Sequence, residues 1–164
     1  MRIKILLLAA LLAGAARAAR AADAASDYAP LDFHVLGDYA IELPDSAFVE
    51  KLNIHLLRPI IKAKIPQAVK ELDGHKVAIS GFMLPLDDEN GGTRKFILMR
   101  NQITCCFGGA NRLNEYVVVT MNGPKPVPYD ASPVTVRGTL TVGPEFEDGA
   151  LNGIYQMAGD EVHK

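Results

Sequence analysis

Cys105 and Cys106 are the only thiols in the 164-residue chain, and they are adjacent. Thiolates bind zinc and copper(I) well and carry redox chemistry. Neighbouring Cα atoms across a trans peptide stand about 3.8 Å apart, whereas a relaxed disulfide spans about 4.4–6.8 Å. A bond within the pair therefore needs a distorted or cis peptide. With no third cysteine in the chain, four readings remain: buried thiols, a strained and switchable disulfide, a pair of metal thiolates, or a disulfide between chains.

The metal reading has a geometric requirement. On a regular strand the two sulfurs face opposite sides. In a tight turn at Gly108-Gly109 they can face one centre. Two thiolates leave a tetrahedral site incomplete, and the available nitrogen donors are His34, His55, His75 and His163. His75, just ahead of the first strand of the main run, is the preferred third ligand, whereas His163 sits in the terminal tail. Met83, Met99 and Met121 offer thioethers for copper(I), although methionines in apolar strands ordinarily pack a core.

Around the pair, Phe107, Gly108, Gly109 and Arg112 are the expected partner-binding residues of the loop. The glycines can turn backbone N–H groups toward an anion or a thiolate, or simply make a tight turn. Arg100 and Arg112 flank the loop and can lower a thiol pKa. The Cys-x-x-Cys spacing of disulfide oxidoreductases is missing. Asp87-Asp88-Glu89 lacks the spacing of a calcium loop and reads as a solvated turn. The chain shows no nucleophile–base–acid set, phosphate loop or dinucleotide fingerprint, so a non-enzymatic protein is expected.

Those residues must be positioned by strands. Val77, Ile79, Gly81 and Met83 alternate from Lys76 onward, and an acidic Gly-rich turn follows Pro85. Lys95 to Arg100 and Tyr116 to Met121 are two further strands, which place the cysteine loop between them. Val134 to Val142 alternates cleanly, with Gly138 on the inward row where a close approach is expected. Ile154 to Met157 is the last apolar run. Ahead of the strands, Asp45-Ser46 can cap a helix from Ala47 that Arg58-Pro59 interrupts. A second helix opens at Pro66 and stops at Gly74. Residues 31–43 read as a short strand pair, or as a segment lying along the domain, with a turn at Gly37-Asp38. Ala22 to Pro30 reads as a tether. The pattern predicts a mainly β fold with a small α element: a five-stranded OB-like antiparallel barrel preceded by a short helix, with an open α+β sheet as the alternative.

Arg2 and Lys4, an apolar run from Ile5 to Gly14 and small-residue cleavage patterns near residues 16–21 have the layout of a secretory signal peptide. The run is too short to span a bilayer. The expected organisation is a signal peptide over residues 1–21, an N-terminal extension over 22–45 and a single domain over 46–164, in a periplasmic protein that does not span the membrane after cleavage. Of the 17 basic residues, residues 1–21 hold four, leaving 13 against 19 acidic ones and a net charge of −6. That balance argues against nucleic acid and anionic membrane surfaces, both of which require a basic footprint.

Residues 72–86, 96–100, Cys105-Cys106-Phe107-Gly108 and 133–140 stand in an order and at gaps that resemble the bacterial family called domain of unknown function 3299. The resemblance covers about residues 66–158. It implies an exported protein without an established activity. A more distant likeness joins the chain to the C-terminal domain of a membrane-associated family with a similar paired-cysteine loop. Some members of both groups are associated with zinc-regulated gene sets, so the resemblance hints at metal handling. The leading expectation is therefore a protein that binds zinc or copper(I), or a metal-handling partner or envelope transporter, through Cys105, Cys106 and His75. A thiol-redox protein and a non-catalytic interaction module with structural cysteines are the rivals.

Overall fold

The computed structural model describes residues 27–41, 54–88, 90–102 and 112–164. The signal peptide, the helix start at Asp45-Ser46 and Ala47, Glu89, and Cys105 through Gly109 lie outside the described residues.

Period-two apolar patterning produces a mainly β fold with one six-stranded sheet. Its strands are β1 (Ala29–Leu31), β2 (Lys76–Pro85), β3 (Lys95–Met99), β4 (Tyr116–Met121), β5 (Val134–Glu147) and β6 (Ala150–His163). They stand in the order β1-β2-β3-β4-β6-β5, and β2 also pairs with β5, so the ladder from β2 returns to β2. The β1–β2 and β4–β6 pairs are parallel and the others antiparallel. Inward rows from every long strand make the core: Val77 and Ile79 of β2, Phe96 and Leu98 of β3, Val117 and Val119 of β4, Val136 and Leu140 of β5, and Tyr155 and Met157 of β6. The last two strands are longer than their apolar runs suggest, because β5 and β6 continue as a hairpin to the turn at Asp148 and Gly149, both with positive φ.

Among the described residues three short helices pack beside the sheet: α1 (Phe33–Gly37), α2 (Ile54–Lys64) and α3 (Gln67–Lys70). α1 replaces the expected strand pair. Asp32 caps it by accepting from the His34 amide at 2.7 Å, and Phe33 and Leu36 are buried. α2 runs through Pro59, where an interruption was expected. An interior proline costs a helix about 3 kcal/mol. Leu57, Ile61 and Ile65, spaced by four, are all buried, and each such burial contributes roughly 1.5–3 kcal/mol, so packing outweighs the break. α3 starts after Pro66 as its cap, and Gly74 ends the following turn at φ 76°. There the Gly74 amide donates to the Leu140 carbonyl and Asp73 accepts from the Val142 amide, which ties the helices to β5.

The expected tether is also partly structured. Asp27 pairs with Lys76 at 2.9 Å, and the Tyr28 ring lies under the cations of Lys76 and Arg137. These contacts lay Ala29–Leu31 beside β2 as an edge strand, with Pro30 at its centre.

The turn after β2 is organised rather than merely solvated. Asp87 accepts from the Thr93 hydroxyl, from the Arg94 amide at 3.0 Å and from the Lys95 amide at 3.1 Å. These donors, the hydroxyl foremost, hold its carboxyl below the usual range against partial desolvation. A carboxyl depressed by folding stabilises above its unfolded pKa, and the contribution is lost as pH falls through the folded value. Asp87→Asn should therefore unfold at a lower urea concentration than wild type at neutral pH. The two should converge in strong acid. A difference independent of pH would show that the carboxylate charge is not the cause.

Candidate functional site

The cysteine segment is the connection between β3 and β4, and both of its stems are described. The Arg100 amide donates to the Glu115 carbonyl at 3.1 Å and the Glu115 amide to the Arg112 carbonyl at 2.9 Å, which fastens the base of the connection. α1 braces both stems. On one side, Arg100 Nη2 donates to His34 Nδ1 at 2.7 Å, and Nη1 reaches Asp38 at 3.4 Å. On the other, buried Asn114 donates through Nδ2 to the carbonyls of Gly37 at 3.2 Å and Tyr39 at 2.6 Å. The first bond satisfies the last carbonyl of α1, which the helix itself leaves open, and the second holds the chain just past its end. Among the described residues, Asn114 Oδ1 is buried without a partner.

α1 is in turn anchored to the core. The Tyr155 hydroxyl donates to the Leu36 carbonyl at 2.9 Å and stands 2.6 Å from the Tyr39 hydroxyl. Burial first, and then its Tyr39 neighbour, push the Tyr155 phenol far above its ordinary range, so it stays protonated. A cleft of about 530 Å³ opens between α1 and β2 beside the first stem, with His34, Ser80 and Arg100 among its walls.

Of the residues singled out by sequence, the fold brings together His34, Arg100 and the base of the Cys105-Cys106 connection. Arg112 is exposed at the second stem. His75 is not at this end of the sheet. It is exposed, with its carbonyl accepting from the Leu140 amide. Phe82 pairs with Met99 where the connection leaves the sheet, and Lys76, next to His75, lies about 20 Å down β2 at the usual strand rise. His55 is exposed on α2, and His163 pairs with Glu161 at 2.8 Å near the C-terminal end of β6. Met83, Met99 and Met121 are all buried, with Met83 and Met121 in the main core. Among the described residues no three His, Cys, Asp or Glu side chains are grouped to hold a metal ion. Asp38 and Asn114 carried no sequence signal, since each matters only because α1 folds back onto the loop stems.

The fold and its connection define a mainly β domain that carries vicinal thiols between its third and fourth strands. The chain belongs to the family described as Protein of unknown function (DUF3299), whose model matches residues 48–164. The crystal structure of a DUF3299 family protein from Pseudomonas aeruginosa is similar in fold, with a TM-score of 0.54 and 24% sequence identity over 83% of this chain and 95% of that one. A search of curated proteins found no match. Among the described residues no helix is long and apolar enough to cross a membrane.

Proposed function

We propose that this protein is an exported, periplasmic, non-enzymatic module that holds zinc or copper(I), or docks a metal-handling partner, through Cys105 and Cys106 at the end of a five-stranded OB-like barrel. The barrel reading is supported by the pairing of β2 with β5 and by the parallel β4–β6 pair in an otherwise antiparallel ring. Export rests on the layout of residues 1–21.

The observation that carries the metal reading is the placement of His34. Its Nδ1 lies 3.3 Å from Oδ2 of Asp38, the C-cap of α1, as well as 2.7 Å from Arg100. A metal-ligating imidazole ordinarily donates its other ring N–H to a carboxylate. Arg100 Nη2 also stands 3.3 Å from Nε2, so withdrawal of Arg100 from the ring would leave Nδ1 to Asp38 and free Nε2 as a ligand on the side of the cysteine connection. His34 thus takes the role that sequence assigned to His75. The two thiolates and this imidazole form a donor set suited to zinc, and a partner or water supplies the fourth position.

Titration of the mature protein with zinc, and separately with copper(I), tests this reading. Wild type should bind one ion per chain, and Cys105→Ser/Cys106→Ser should abolish binding. His34→Ala should weaken affinity roughly tenfold or more, while His75→Ala leaves it unchanged. Equal binding by wild type and the double serine variant would end the proposal. A loss on His75→Ala with none on His34→Ala would return the third ligand to His75.

A further inference from the structure

We infer that the outward face of α2, independent of the cysteine connection, docks the protein reversibly on a bilayer surface that carries anionic lipid. α2 has two apolar stripes, and the fold uses one. Leu57 and Ile61, with Ile65 just past the helix end, are buried in the core. Leu56, Pro59, Ile60 and Ala63 recur at the three-and-four spacing of a second stripe, and all four are exposed. At about 100° per residue this stripe centres roughly opposite the buried one. Leu56 is 63% exposed and Ile60 44%, so packing within the domain does not account for them. Among the described residues the other large apolar side chains this open are Val35, Leu86 and Tyr129, each on a different element.

Cations rim the open stripe. On the same helical projection Lys62 falls on one flank and Lys64 on the other. Both are exposed, and among the described residues neither enters an ion pair. Glu145 lines the groove beside Lys62 without pairing with it. Arg58 is committed elsewhere: its Nη1 donates to the Pro144 carbonyl at 2.7 Å, and its guanidinium stands 5.2 Å from the centre of the Phe146 ring. The charge of the chain is unevenly placed. From Ile54 to Lys70 it carries Arg58, Lys62, Lys64 and Lys70 and no acidic residue. A net charge of −6 over the mature chain therefore conceals a local basic footprint on this helix.

Charge complementarity selects the occupant. A basic amphipathic helix is suited to an anionic membrane surface. Lysine stems lie along apolar surface while their ammonium groups stay at the polar level, so the stripe enters the headgroup boundary with Lys62 and Lys64 beside the lipid phosphates. A second copy seated on the same stripe would bring lysine rims of one sign together, with no acidic residue on either helix to answer them. With two large apolar side chains in the stripe, the docking is peripheral, and α2 is far too short to cross the bilayer.

Co-sedimentation of the mature chain at low salt, with vesicles of phosphatidylcholine and phosphatidylglycerol in equal parts and with vesicles of phosphatidylcholine alone, tests this inference. Wild type should partition onto the anionic vesicles about tenfold more strongly than onto the neutral ones, and added salt should weaken it. Leu56→Ser/Ile60→Ser should cut the partition about tenfold with an unchanged melting midpoint. Lys62→Glu should weaken it about tenfold, and Lys125→Glu, which changes the net charge equally, should have much less effect. The chain has no tryptophan, so Leu56→Trp gives a clean reporter. Its emission should move to the blue on anionic vesicles, and that of Leu86→Trp should not. No partition onto anionic vesicles, equal partition onto neutral ones, or equal losses from Lys62→Glu and Lys125→Glu would each overturn the inference. So would a wild-type dimer that the double serine variant dissociates while vesicle binding stays unchanged, because the stripe would then serve a second copy. Cys105→Ser/Cys106→Ser should bind vesicles as wild type does, which separates this outcome from that of the metal titration.

Discussion

Gly138→Val should cost about 3 kcal/mol or more, close to the upper end for overpacking a core position. Gly138 lies on the inward row of β5, bonded to β2 on one edge and to β6 on the other. A Cβ placed there would stand 2.3 Å from the Ala158 carbonyl oxygen and 2.9 Å from the Gly159 Cα. Both are backbone atoms, so no rotamer change relieves the contact. β6 has little room to retreat, because a Cβ at Gly159 would itself meet Met121 Sδ at 2.7 Å. The facing glycines Gly138 and Gly159 let two strands and a methionine pass closely at one point, and a register shift of the ladder falls beside Gly138. Domains of this kind hold only about 5–15 kcal/mol in total, so the variant loses a large share of its stability. Equilibrium urea unfolding measures it. A shift equivalent to less than about 1 kcal/mol would mean that the strands separate more easily than their double pairing implies.

Tyr155→Ala should cost about 3–5 kcal/mol, the usual range for removing a fully buried ring. The side chain is 0% exposed. Its consequence differs from that of Gly138, because the hydroxyl also fixes α1 through the Leu36 carbonyl. Tyr155→Phe separates the two roles. It keeps the ring and leaves the Leu36 carbonyl and the Tyr39 hydroxyl short of a partner, which costs about 1–3 kcal/mol. Hydrogen exchange supplies the local readout: Tyr155→Phe should speed exchange at Val35 and Asp38, whose amides bond back into α1, more than at the β3–β4 pairs. Uniform acceleration across the domain would show that the hydroxyl supports the core as a whole and has no particular hold on α1.

The β strands were legible because each carries its own signal. Val77-Ile79-Gly81-Met83 and Val134-Val136-Gly138-Leu140 alternate without help from the rest of the chain, and the folded rows follow that alternation. The N-terminal half was less legible because its structure is imposed from elsewhere. Ala29–Leu31 is too short to pair alone and depends on the Asp27 and Tyr28 contacts with distant Lys76 and Arg137. α1 depends on Tyr155 and Asn114. Pro59 signals a break that a local rule cannot overrule, yet three buried side chains do. The candidate site divides in the same way. Its thiols and their position between two strands could be read directly. The nearness of His34 to the stem could not, because its contact with Arg100 exists only once residues 33–38 have folded across the stem.

The edge formed by Ala29–Leu31 bears on how the protein behaves at high concentration. A ladder that returns to its starting strand offers little open flank, and β1 supplies a flank only three residues long. Pro30 stands at its centre with no N–H to offer, and Asp32 turns the chain into α1 directly after it. A second copy approaching edge to edge finds a short edge with few donors, two devices by which natural sheets resist aggregation. The N-terminal strand therefore guards against self-templated assembly while it completes the sheet.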